Sequence, residues 1–133
     1  MSVIYKKEEY EQSLTVSYKV VMSKFEKTIR GDIAKISEQL NAYILNSAFS
    51  MNLVDESEDS YGDCKLIVRV YDKYYMRNSS RASLTLTLFS KREDVFVSAI
   101  GSGGGTGALI RFDWGAEDNI TSIIQDCLYE TGY

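Results

Sequence analysis

The alternation of apolar and polar residues over residues 82–89 constrains the fold most strongly. Every second residue in this range is apolar, namely Ala82, Leu84, Leu86 and Leu88. Side chains two positions apart lie on the same face of a β-strand. The intervening Thr85 and Thr87 are β-branched, as is typical of the outer face of a strand. The segment therefore predicts a strand with one face in a core and the other towards solvent.

Other segments show the same period. They are residues 13–20, 49–54, 65–74 and 95–100, with a possible short sixth strand at 108–112. In the third of these strands, 65–74, we expect one set of side chains to face inward, namely Leu66, Val68 and Val70. The opposite set is Arg69, Tyr71 and Lys73. The acidic stretch Asp55–Asp63 indicates a solvated turn rather than a calcium loop, because its spacing does not fit an EF-hand.

Two segments have the three- and four-residue spacing of amphipathic helices. The first runs from Ile29 to Ser47, with Asp32 or Thr28 as candidate N-cap, and the second runs from Ile120 to Leu128. Each presents a single apolar stripe. Both helices are therefore expected to pack on one side of the sheet.

These segments predict an α+β fold: a two-layer sandwich in which two helices cover one face of an antiparallel sheet of five or six strands, in the order β-α-β-β-β-β-(β)-α. The chain has no proline, internal repeat or long linker, so residues 1–133 are expected to form a single domain. The other sheet face is expected to face solvent or to support a homodimer contact. The residues expected on that face are Ser17, Tyr71, Thr85, Thr87 and Phe89.

Composition excludes several functional classes. Histidine is absent, which removes the commonest metal ligand and every histidine-dependent mechanism. The two cysteines, Cys64 and Cys127, lie too far apart for a CxxC motif. No secretory signal and no apolar run long enough to span a bilayer is present, so a cytoplasmic protein without membrane contact is expected. No nucleophile and base have a recognisable spacing, so no catalytic residue, metal or cofactor is assigned.

Charge is unevenly distributed along the chain. The net charge is −4, yet residues 65–92 contain seven basic residues and one acid, Asp72. An acidic protein is repelled by nucleic acid at long range, so no binding to duplex nucleic acid is expected. A local site for an anion remains compatible with the basic segment.

Five of the nine glycines lie in the segment Gly101–Gly107, which indicates a glycine-rich loop. Glycine permits successive backbone N–H groups to surround an anion. The string Gly103-Gly-Gly-Thr-Gly107 resembles the phosphate loop of the tubulin and cell-division GTPase family, and this resemblance implies nucleotide binding. A purely structural loop is the alternative, because the string does not fit a Walker A motif.

In an antiparallel meander this loop lies at the same end of the sheet as the turn at residues 77–80. Arginine forks match carboxylate or phosphate oxygens. The two segments together therefore predict a site for an anionic small molecule or peptide. Its candidate residues are Tyr74, Tyr75, Arg77, Arg81, Gly103, Gly104, Gly105, Thr106, Gly107 and Arg111. In the alternative interpretation, the arginines are solvated turn residues and the tyrosines pack on nearby apolar surface.

The segments Lys73–Leu84, Gly101–Ala108 and Arg111–Ala116 resemble a family of small uncharacterised proteins from Gram-positive bacteria. The family is a domain of unknown function, so the resemblance implies a bacterial, cytoplasmic, single-domain protein and transfers no activity, cofactor or catalytic residue. Three functions thus remain open: a noncatalytic binding or interaction module for an anionic ligand, a nucleotide- or phosphate-binding enzyme or regulator using residues 101–107, and a structural homo-oligomeric subunit.

Overall fold

The computed structural model describes residues 18–47, 51–75, 80–106 and 119–133. Its elements follow the predicted order. They are β1 (Tyr18–Arg30), α1 (Ile33–Leu45), β2 (Asn52–Tyr61), β3 (Cys64–Tyr75), β4 (Ser80–Lys91), β5 (Asp94–Thr106) and α2 (Asn119–Glu130). The predicted short strand at 108–112 lies outside the described residues.

The five strands form one antiparallel sheet in the order β1-β5-β4-β3-β2. Strands β2 to β5 form a meander of consecutive neighbours. β1 lies at the far edge of the sheet and pairs with β5, from Arg30 opposite Asp94 to Tyr18 opposite Thr106. The chain therefore crosses the whole sheet through α1, because β1 and β2 occupy opposite edges.

Both helices pack on one face of this sheet and enclose a single apolar core. From β4 and β5 the core receives Leu84, Leu86, Leu88, Val95, Val97 and Ala99, and from the helices Ile36, Leu40, Ile44, Ile124 and Leu128. The predicted α+β sandwich is thus confirmed. We call the helix-free face of the sheet the outer face.

α1 begins after Asp32, whose Oδ1 accepts a hydrogen bond from the backbone N–H of Ala34 at 3.2 Å. Asp32 is therefore the N-cap, which leaves a shorter helix than the apolar stripe suggested. Ile29 instead belongs to β1, where its buried side chain joins the core. The three- and four-residue spacing of the helix extends back to Ile29 by coincidence. The beginning of the helix is marked by its N-cap, Asp32.

The predicted orientation of the third strand is wrong. Ile67, Arg69 and Tyr71 face the helices and are buried, and Leu66, Val68 and Val70 lie half-buried on the outer face. The physical reason is that both polar side chains find partners in the core. Arg69 binds Glu56 and a carbonyl of α1, and the hydroxyl of Tyr71 binds Asn41.

The acidic stretch also differs from its prediction. Most of it forms the edge strand β2, and only Gly62 and Asp63 lie in the following turn. Every residue of β2 is exposed, and the strand is hydrogen-bonded to β3 alone as an edge of the sheet. Edge strands and turns both carry polar and charged residues, so the polarity of the sequence does not distinguish them. Residues 13–17 and 49–50 of the other predicted strands lie outside the described residues.

Candidate functional site

The structure brings part of the predicted anion site together at one end of the outer face. Tyr74 on β3 lies opposite Arg81 on β4, and Arg81 lies opposite Gly104 on β5. Tyr75 pairs with Ser80, and Gly105 and Thr106 pair with β1. Arg77, Gly107 and Arg111 lie outside the described residues. The arginine-bearing hairpin and the glycine segment are therefore neighbours, as the topology predicted.

The glycine segment is not a loop over residues 101–106. It forms the second half of β5, in which Gly101–Gly104 pair with β1 on one side and with β4 on the other. A phosphate nest needs successive N–H groups that converge on one anion, whereas N–H groups of a strand point alternately to its two neighbours. The predicted loop and its resemblance to a GTPase phosphate loop are therefore wrong for these residues.

Close packing between strands explains one of these glycines. A Cβ atom added to Gly103 would lie 3.1 Å from the carbonyl oxygen of Arg81 and 3.6 Å from the Cα atom of Ala82. The absence of a side chain thus permits close approach of β5 to β4. Gly103 therefore serves the close packing of two strands and does not serve as a backbone N–H donor to an anion.

The side chain of Arg81 is an exposed charged group at this end of the sheet that can form further hydrogen bonds. Its Nη1 donates to Oδ2 of Asp72 at 2.8 Å, and its Cζ atom lies 5.5 Å from the ring centroid of Tyr74. The Arg81 side chain is 62% exposed and Tyr74 is 51% exposed. A guanidinium carries five N–H donors, so Arg81 retains the capacity to bind a further oxygen acceptor.

The neighbouring charges limit what this site can hold. Asp72 is 25% exposed and places a carboxylate beside Arg81, so it neutralises part of the positive charge. An incoming anion therefore competes with Asp72 for the guanidinium. Among the described residues, the site thus combines one exposed guanidinium, one carboxylate and the ring of Tyr74.

A second polar cluster, not predicted from the sequence, lies between α1 and β3. Arg69 Nε donates to Glu56 Oε1 at 2.8 Å, and Arg69 Nη1 donates to the carbonyl oxygen of Ser37 at 3.0 Å. Next to it, the Tyr71 hydroxyl donates to Asn41 Oδ1 at 2.6 Å. These groups satisfy one another, so the cluster acts in the packing of α1 on the sheet.

The environment of this cluster shifts two pKa values. Burial lowers the pKa of Arg69, but its hydrogen bond and charge interaction with Glu56 outweigh that effect and leave the pKa raised. Burial raises the pKa of Tyr71, whose ring is fully enclosed, although the charge of Arg69 opposes the shift. Both side chains therefore keep their protons at neutral pH.

One signal in the sequence could have found the Arg69–Glu56 pair. A two-residue turn at Gly62–Asp63 places Tyr61 opposite Cys64, and counting back along the hairpin then places Glu56 opposite Arg69. Gly62 has a φ of 61°, which suits glycine in such a hairpin turn. Because the stretch is acidic, it was interpreted as a solvated turn, and this hairpin was not predicted.

Other chemistry is limited in the part of the chain that the structure describes. Within it, no group of three or more potential metal ligands comes together. Burial raises the pKa of the Cys127 thiol to about 11, with a further contribution from Glu130, so this thiol is unreactive at neutral pH. No helix among the described residues is long and apolar enough to cross a bilayer.

Solved structures of other uncharacterised proteins are similar to this chain over most of its length. A hypothetical protein from Helicobacter pylori has a TM-score of 0.51 at 10% identity, with 85% of this chain and 88% of that chain covered. An uncharacterised protein from Rhizobium leguminosarum has a TM-score of 0.42 at 11% identity and coverages of 84% and 93%. At such identities the likeness concerns the fold alone. No curated protein matches the chain.

A family model described as a family of unknown function (DUF6054) matches residues 22–132. The match covers most of the chain, so the protein belongs to this family. The matched range includes all five strands except the first four residues of β1, and both helices.

Proposed function

We propose that this protein is a noncatalytic, cytoplasmic binding module that recognises an anionic group of a small molecule or peptide at the Tyr74–Arg81 end of the outer face. The observation that carries the proposal is the exposed guanidinium of Arg81, held over the Tyr74 ring and fixed on one side by Asp72. The two free cysteines, Cys64 and Cys127, agree with a reducing compartment.

The arrangement of Arg81 supports recognition of an oxygen anion. Two neighbours restrict the rotation of its long side chain, so less conformational entropy is lost when an anion binds. Stacking on Tyr74 leaves the edge of the guanidinium available, and this edge matches the two oxygens of a carboxylate or phosphate. The ring of Tyr74 adds apolar surface for the remainder of the ligand.

Asp72 gives the proposal a quantitative expectation. Because the carboxylate of Asp72 competes with the ligand, its replacement by asparagine is expected to tighten anion binding by about 3- to 10-fold. Replacement of Arg81 by alanine removes the charged hydrogen bonds, each contributing roughly 1.5–3 kcal/mol, and is expected to weaken binding at least about 10-fold.

The test is a titration of the ¹⁵N-labelled protein, followed by amide chemical shifts, with inorganic phosphate, a nucleoside monophosphate and an acidic peptide. We expect at least one probe to shift amides of β3 and β4 near Arg81. Arg81→Ala is expected to abolish these chemical-shift changes. In Asp72→Asn, the same changes are expected at a lower probe concentration.

The chain offers a matched control at the opposite end of the sheet. Arg92 is also exposed and also pairs with an aspartate, Asp63, at 3.3 Å. Arg92→Ala is expected to leave anion binding unchanged. Absence of shifts with every probe, or equal binding by Arg81→Ala and the parent protein, contradicts the proposal.

A further inference from the structure

The outer face presents an apolar patch at its centre. One register row across the sheet contains Leu66, Phe89 and Phe96, and another contains Val70, Thr85 and Ile100. Phe89, Phe96 and Ile100 are 40%, 36% and 43% exposed. Large apolar side chains grouped on one face of a sheet are typical of a contact surface.

The two edges of this face differ in charge. Along the β2 edge, Asp55 and Asp59 occupy the ends of the rows that contain Val70 and Leu66. Along the β1 edge, Lys24 occupies the other end of the Asp55 row, opposite Ile100, and its Nζ lies 3.6 Å from Oε2 of Glu26 on the same edge. One row thus runs from the carboxylate of Asp55, through Val70, Thr85 and Ile100, to the ammonium group of Lys24.

We infer that the outer face is the interface of a homodimer, in which two copies pack face to face about a two-fold axis parallel to β4. Two sheets that pack face to face keep their strands within about 30° of each other. Since β4 is the central strand, this axis places β4 on β4 of the second copy, β5 on β3, and β1 on β2.

The charges select this axis over its alternative. An axis in the same plane but perpendicular to the strands places β2 on β2, where Asp55 and Asp59 of the two copies repel one another. The parallel axis instead places Lys24 against the second copy's Asp55, and the symmetry repeats the contact. Opposite charges at the rim of an interface fix its orientation and exclude wrong pairings.

The apolar residues also match under this axis. Phe96 of one copy lies against Leu66 of the other, and Ile100 lies against Val70, since each pair shares a register row. The ten residues of β2 set the usable strand length. At about 3.4 Å per residue and about 4.8 Å between strands, the face covers roughly 600 Å² per copy, or about 1,200 Å² for both, which is the lower limit of a standard interface.

This inference does not depend on the proposed anion site. Arg81 lies six residues along β4 from Thr87, or about 20 Å from the centre of the patch. Under this axis Arg81 lies opposite Arg81 of the second copy, and each guanidinium is paired with Asp72 of its own chain, so the net charge at that end of the interface is zero. Loss of anion binding and loss of the dimer are therefore separate outcomes, which Arg81→Ala and an apolar-patch variant distinguish.

Sedimentation equilibrium over a range of protein concentrations tests the interface. The full chain is expected to reach twice the mass of one chain. Ile100→Lys is expected to raise the dimer dissociation constant at least about 30-fold, with unchanged circular dichroism. Tyr129→Lys is the matched control, because Tyr129 is an exposed aromatic residue on α2, away from the outer face, and this variant is expected to remain dimeric.

A charge exchange tests the axis. Lys24→Glu and Asp55→Lys are each expected to weaken the dimer by about 10-fold, because each creates two like-charge contacts. The double variant Lys24→Glu/Asp55→Lys restores opposite charges and is expected to recover the affinity of the parent protein. Additive loss in the double variant overturns the assigned axis.

Two further outcomes refute the interface as a whole. A dimer that persists unchanged in Ile100→Lys forms through another surface. If the protein is monomeric at all concentrations and Phe96 and Ile100 are inaccessible to hydroxyl-radical labelling, this face is covered by the protein's own chain. If the protein is monomeric and both side chains are accessible, the face binds no second copy.

Discussion

In the ion pair of Arg69 and Glu56 only the arginine is buried, and the pair allows the effects of burial and of distance on ion-pair strength to be separated. The Arg69 side chain is 8% exposed and that of Glu56 is 47% exposed, with 2.8 Å between Nε and Oε1. Glu56→Ala removes a charged hydrogen bond, which contributes roughly 1.5–3 kcal/mol, and leaves Arg69 in the protein with one carbonyl partner. Since water reaches the Glu56 side, we expect a loss of about 2 kcal/mol, near the middle of that range.

The measurement is urea denaturation followed by circular dichroism at 222 nm. The free energy of unfolding should fall by about 2 kcal/mol without a change in the denaturant dependence m, and the melting temperature should fall by roughly 8 °C for a domain of this size. Arg69→Met keeps the apolar stem and removes the buried charge. We therefore expect it to remain within about 1 kcal/mol of the parent protein.

An exposed pair provides the comparison. Arg30 Nη2 lies only 2.6 Å from Glu93 Oε1, but both side chains are about three-quarters exposed. We expect Glu93→Ala to leave the unfolding transition unchanged within error. If Glu93→Ala destabilises the protein as much as Glu56→Ala does, or if Arg69→Met is the most harmful of the three, burial does not determine the strength of these pairs.

Three further expectations concern single positions. Burial raises the pKa of Cys127 from 9.0 to about 11, so its contribution to stability is complete below pH 9 and disappears as the pH rises to about 11. The stability difference between the parent protein and Cys127→Ala, measured by urea denaturation, should therefore shrink by about 2–3 kcal/mol over that interval, and a constant difference contradicts the shift. Arg92 has a φ of 61°, so Arg92→Gly should raise the free energy of unfolding by about 0.5 kcal/mol, whereas a loss would show that its exposed contact with Asp63 outweighs the backbone strain. Asp32→Ala should cost about 1 kcal/mol through loss of the N-cap, and Asp32→Asn should restore most of it in the same denaturation assay.

The sequence predicted those elements whose local pattern agrees with their packing. The alternation over residues 82–89 identified β4 because the apolar side chains that the pattern separates are the ones buried in the core under the helices. Asp32 was one of two predicted N-cap candidates, with Thr28, and the structure assigns the role to Asp32. Both are short-range properties, so the chain alone determines them.

The orientation of β3 could not be predicted in the same way. Its two sides are Leu66, Val68 and Val70 against Ile67, Arg69 and Tyr71, and hydropathy favours the first set for the core. The second set is buried because distant residues, among them Asn41 on α1, satisfy its polar atoms. An isolated strand contains no information about such partners.

The arrangement of the candidate residues for an anion site was predicted partly for the wrong reason. The topology correctly placed Arg81 beside the glycine segment, since strand order alone determines that neighbourhood. The glycines were interpreted as a loop because glycine marks turns in most sequences. Pairing with two neighbouring strands overrides that local preference, and Gly103 shows the reason in its contact with the Arg81 carbonyl.

The pairing of β1 with β5 has a consequence for the order of folding. Residues of β2 to β5 meet neighbours that are close along the chain, whereas Tyr18 must find Thr106. Closing so long a loop is entropically costly, so we expect the four-strand meander to form first and β1 to dock last. Until then β5 has an open edge, and its glycine-rich half carries almost no side chains with which a second molecule could form a stable β-aggregate. On this order of folding, we expect the glycines to make the open edge of β5 a poor template for aggregation before β1 docks.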